Sequence, residues 1–176
     1  PDGRSISNLG KVTSFYRIAK QEVTNAQYSS FLNAVATGTD VFSLYSTDMG
    51  ADDTGGILRD GAGPYTYSLK PGHSGKPATF VSYMSALRFS NWLHNGAPTG
   101  LTEDAANITE SGAYNIQLDG GSTYSIVKNS LASYYIPDLN QWYKAAYFEP
   151  DAVQTSSSNI VIINQEEPYL DNILTV

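Results

Sequence analysis

The chain reads as an α+β domain, and three features of the sequence carry that expectation. Segments with helix-capping chemistry and helical apolar spacing begin near residues 24, 82 and 138. Alternating, strand-like stretches precede and separate them. With 176 residues and 41% hydrophobic side chains, the chain can bury one sizeable core.

The first element is a strand over Val12 to Ile18, where Val12, Ser14, Tyr16 and Ile18 alternate with Thr13, Phe15 and Arg17. A helix follows from Thr24, because Thr24 and Gln27 have capping-box spacing and Val23 and Tyr28 that of a hydrophobic staple. Tyr28, Phe31, Leu32 and Val35 continue at helical spacing, and Gly38 is the expected stop. Residues 40–79 are broken by glycine and proline everywhere except Tyr65 to Leu69, which predicts a long loop that is functional, disordered or tied down by an ion. Ser82 should cap a second helix running to His94 with Ala86, Phe89 and Leu93 on one face, and Asn95-Gly96-Ala97-Pro98 should end it. Residues 113–127 predict a hairpin about Asp119-Gly120-Gly121. Tyr134 to Ile136 predict a short strand leading into a third helix, capped by Asp138 with Gln141 and packing through Trp142, Tyr143 and Ala146. After Pro150 a polar run precedes four consecutive apolar residues, Ile160, Val161, Ile162 and Ile163, and then an acidic tail.

Charge and composition narrow the function. Ten basic against seventeen acidic side chains give a net charge of -7, which disfavours nucleic acid as a partner. No apolar run reaches the roughly 20 residues of a membrane span. Thirteen tyrosines, fifteen glycines and only 15% charged residues lean toward a secreted or cell-surface protein. The opening Pro1-Asp2-Gly3-Arg4 has neither Met nor an apolar signal region, which predicts a processed or trimmed end. Asn107-Ile108-Thr109 is a glycosylation sequon, meaningful only in a compartment that glycosylates.

Taken together, several pieces resemble the superfamily of formylglycine-generating enzymes and sulfatase-modifying factors. They are Ile18 to Tyr28 with Phe31-Leu32-Asn33; Lys76 to Ser82 with Ala86, Phe89 and Asn91-Trp92-Leu93; and Ile136-Pro137-Asp138 with Trp142 and Ala145-Ala146. The resemblance implies a variant of the C-type-lectin-like fold over residues 1–150, either incomplete or completed by another chain. Residues 151–176 would be a divergent tail with one strand that could serve as an assembly arm. Leu139 and Gln141 stand where the family carries acids, and residues 151–176 hold none of the family's catalytic segments, calcium ligands or cysteines.

The chain contains no cysteine. The family's thiol chemistry depends on thiolate nucleophilicity, which no serine or aspartate supplies. The expectation is therefore a non-catalytic binding or assembly domain whose partner is protein, through self-association or a companion chain. The alternative is one part of a copper-dependent oxidase of the formylglycine-generating type, completed by a second, cysteine-bearing segment. An iron-dependent relative would need a histidine triad, and this chain has only His73 and His94.

Individual residues follow from these readings. Trp92 and Trp142 should anchor helices to a small sheet, with ligand contact by them or by Asn91 as the alternative. Asp48, Asp52 and Asp53 in the glycine-rich insert are hard oxygen donors that could hold calcium, although their spacing is not that of a helix–loop–helix calcium loop. His73 and His94 make a poor zinc case, and Ser85 and Ser90 lack the glycines of a nucleophile elbow. Ile160 to Ile163 would form either a buried strand or an arm pairing with another subunit's sheet edge.

Overall fold

Capping chemistry places the helices. In the computed structural model, which describes residues 9–100, 106–121 and 123–147, α1 (Asn25–Val35) starts at Thr24, whose hydroxyl accepts from the Gln27 N–H at 3.3 Å. The Gln27 side chain accepts from the Thr24 N–H at 2.9 Å, closing the capping box. The helix ends at Val35 with Ala36 as its cap, before Gly38, because Thr37 turns toward the second strand and accepts from the Tyr65 N–H.

The chain divides into two compact units, Gln21–Ile136 and the pair of segments Pro1–Lys20 and Pro137–Val176. Both helices and strands are present, so the fold is mixed α+β.

In the larger unit, the glycine-rich insert holds more structure than its sequence predicts. It forms α2 (Asp48–Ala51) and an antiparallel hairpin of β1 (Ile57–Asp60) and β2 (Thr66–Leu69), paired Ile57 to Leu69 through Asp60 to Thr66. The unit continues with α3 (Tyr83–His94), α4 (Ala106–Thr109) and a second hairpin, β3 (Tyr114–Leu118) with β4 (Tyr124–Lys128). Among the described residues each sheet has two strands. Ser82 caps α3 as expected, accepting from the Ser85 N–H at 3.1 Å. Tyr134 to Ile136 form no strand; the Ile136 N–H donates to the Tyr114 hydroxyl at 2.9 Å instead.

The core is aromatic where the two long helices meet. Phe31 lies 5.4 Å from Phe89 and 5.5 Å from Trp92, ring centre to ring centre, with Tyr28 beside both Phe31 and Phe89. On its other side α3 packs Leu87 against Ala113, Tyr114 and Ile116 of the second hairpin. A helix held from two sides buries more than one stripe. Hence Ser85, Arg88, Ser90 and Asn91 are buried, while Ala86 and Leu93 of the expected apolar face are only half-buried.

The hydroxyl of Tyr28 donates to the Leu44 carbonyl, and that of Tyr67 to the Ala36 carbonyl at 3.0 Å. Burial raises both acidities' midpoints, that of Tyr28 well above the usual tyrosine range and that of Tyr67 to about 12. The fold thus favours the neutral phenols. Their contribution is complete below pH 10, the ordinary tyrosine value; that of Tyr67 is lost as pH rises through about 12, and that of Tyr28 at higher pH still. Tyrosinate absorbance should therefore rise in two phases, the later one coinciding with loss of circular dichroism. A single titration near the ordinary value with the fold intact would contradict this.

In the smaller unit, α5 (Leu139–Tyr147) begins with the expected reciprocal cap: the Gln141 N–H donates to Asp138 at 2.9 Å and the Asp138 N–H to Gln141 at 3.0 Å. Residues 12–18 are not a strand. Their alternation meets no partner strand among the described residues. Contacts to α5 serve instead, with the Tyr16 hydroxyl donating to the Gln141 carbonyl at 2.7 Å. Ile160 to Ile163 lie outside the described residues.

Candidate functional site

The residues around α3 show what the buried polar groups do. Asn91, fully buried, donates to the carbonyls of Thr109 at 2.6 Å and Tyr114 at 2.9 Å, and accepts from the Tyr114 N–H at 2.6 Å. Its amide thus meets the end of β3 as a neighbouring strand's peptide would. Asn33 of α1 repeats the arrangement on β2, donating to the Tyr67 carbonyl at 2.8 Å and accepting from its N–H at 3.0 Å. Arg88, 3% exposed, makes a two-point ion pair with Glu110 and stacks 4.3 Å from the centre of the Phe42 ring. Burial alone would lower the Arg88 pKa, but the Glu110 bonds and charge outweigh it and the net shift is upward. These groups are spent on holding the hairpin to the helix.

Neither serine is armed. Ser85 shares a hydrogen bond with Ser82, and Ser90 donates to the Ala86 carbonyl. The His94 ring accepts from the Ser133 N–H at 3.1 Å, and His73 lies between the Pro71 carbonyl and the Lys76 ammonium. Among the described residues, no three His, Cys, Asp or Glu side chains gather as a metal would require. Asp52 accepts from both the N–H and hydroxyl of Thr54, which lowers its pKa, while Asp48 belongs to α2. Asp48, Asp52 and Asp53 therefore do not converge on one point as calcium ligands.

The two tryptophans part company. Trp92 is fully buried and its indole donates to the Pro98 carbonyl at 2.9 Å. Trp142 is 50% exposed on α5, 6.2 Å from the Tyr147 ring, so it is not the core anchor its spacing predicts.

What remains open is a strand edge. In the second hairpin the Asp119 N–H bonds to the Thr123 carbonyl and the Asn129 N–H to the Ala113 carbonyl. Alternation along an antiparallel ladder then turns the backbone groups of residues 114, 116 and 118 outward on β3, and those of 124, 126 and 128 outward on β4. On β3 most of them are taken: Asn91 takes both groups of Tyr114, the Ile116 N–H bonds to the Glu110 carbonyl, and the Leu118 carbonyl accepts from the Gly120 N–H. On β4 the outward groups of Tyr124, Ile126 and Lys128 meet no partner among the described residues. Apolar side chains flank this edge, with Leu118 57%, Tyr124 42% and Val127 61% exposed. Alternation in the sequence predicts the hairpin. Which of its edges is closed depends on Asn91, a residue of α3 outside any pattern in 113–127.

A second exposed feature lies on β1. The Arg59 guanidinium is held between the rings of Tyr45 and Tyr65, 4.7 Å from each centre.

Compared with protein-family models, curated proteins and solved structures, the chain matches none.

Proposed function

We propose that this chain is a non-catalytic domain of a secreted or surface protein that works by protein binding or assembly. The observation that carries the reading is the contrast just described. The buried polar side chains nearest the core hold backbone, whereas the β4 edge keeps its hydrogen-bonding groups and neighbouring apolar side chains open among the described residues. The absence of cysteine from the sequence supports the same conclusion, because thiol oxidation has no sulfur to act through. We read the fold as a divergent form of the sulfatase-modifying-factor variant of the C-type-lectin-like fold. In support, the three matching sequence pieces supply the starts of α1, α3 and α5.

Size-exclusion chromatography with light scattering on the full chain tests assembly. Oligomers that grow with concentration are expected. A monomer at every concentration would overturn the assembly reading.

A further inference from the structure

We propose that the open edge of β4 receives residues 160–163 of a second copy as an added parallel strand. This rests on the assembly reading above and specifies its donor, acceptor and orientation. Three considerations carry it.

The first is backbone chemistry. An unpaired strand edge satisfies its N–H and C=O groups most fully by taking on another strand, and β4 presents those of Tyr124, Ile126 and Lys128 on one side. In the first hairpin the outward carbonyl of Ile57 on β1 accepts from the Tyr45 hydroxyl, and Asn33 takes both groups of Tyr67 on β2, which leaves a shorter open run than on β4.

The second is side-chain fit. Ile160-Val161-Ile162-Ile163 is a β-branched apolar run of four, one residue shorter than the five of β4. Set alongside Tyr124 to Val127, Ile160 and Ile162 fall on the face shared by Tyr124 and Ile126, extending the apolar surface that Leu118 and Tyr124 leave exposed.

The third is charge, which chooses the direction. Glu166 and Glu167 follow the apolar run closely. In a parallel pairing they come to the Lys128 end of β4. An antiparallel pairing brings them to Asp119 at the hairpin turn, where like charges repel.

A chain without cysteine suits disulfide mapping, because any introduced pair reports alone. Full-length Val127→Cys mixed with full-length Ile163→Cys should give a disulfide-linked dimer under mild oxidation, in several-fold higher yield than Val127→Cys mixed with Ile160→Cys. The full-length Ile160→Lys, Ile162→Lys double variant should lose the oligomer while its circular dichroism stays that of the parent. Oligomers without the 127–163 cross-link, or with equal yields from both mixtures, would overturn this pairing and leave the assembly reading standing. A cross-link formed only within one chain, in the Val127→Cys, Ile163→Cys double variant, would overturn pairing between copies. A parent chain that never leaves the monomer would defeat the assembly reading itself.

Discussion

Asn91→Ala is expected to destabilise the larger unit by about 3–9 kcal/mol, because it strips hydrogen bonds from three buried backbone groups at about 1–3 kcal/mol each. The groups are the carbonyls of Thr109 and Tyr114 and the N–H of Tyr114, and none can turn to water without parting β3 from α3. Domains of this size are stable by only about 5–15 kcal/mol in all, so the variant should sit near its unfolding threshold. Asn95→Ala is the matched control. Asn95 also donates to two carbonyls, those of Ile108 and Ser111, but it is exposed, and its loss should cost about 1 kcal/mol. Urea denaturation of both variants measures the difference. Equal midpoints would show that the Asn91 amide is not what joins hairpin to helix.

Glu110→Ala should be nearly as severe, at about 3–5 kcal/mol, since it leaves the Arg88 guanidinium buried without its counter-charge. The Phe42 ring attracts the cation but accepts no hydrogen bonds in the plane of the guanidinium, so it cannot replace the carboxylate. The informative comparison is the double variant Arg88→Met, Glu110→Leu. Replacing both charges with apolar groups of similar bulk removes the buried-ion penalty, and the double should be more stable than Glu110→Ala alone. If the double is the less stable, the pair contributes by more than mutual neutralisation, and the account of Arg88 given above fails.

The elements legible in the sequence are those set by local chemistry. Thr24 with Gln27, Ser82, and Asp138 with Gln141 each fix a helix start within a few residues of themselves, and all three helices begin where their caps stand. The second hairpin was legible because its alternation survives in its burial pattern, with Tyr114 and Ile116 buried and Asn115 and Gln117 exposed. The first was not. Only Ile57 of β1 is buried, so the strand has almost no apolar signature and depends on pairing with β2 and on α2 beside it. Residues 12–18 fail in the opposite sense: they alternate well, but alternation cannot supply a partner strand.

The site was less legible than the fold. Asn33 and Asn91 are ordinary polar residues on helices until the fold carries Tyr67 and Tyr114 to them. Arg88 and Glu110 are 22 residues apart and share no motif. Trp142 illustrates the converse, since helical spacing marks a face without saying whether anything will cover it.

The contacts of Asn91 and the Glu110 carbonyl on β3 leave β4 the freer flank of this hairpin among the described residues. A donor strand from residues 160–163 would join two unlike surfaces there, making each junction heterologous. Repetition of such a junction gives a polar filament with distinguishable ends, or a ring where the rotation at each step happens to close the circle.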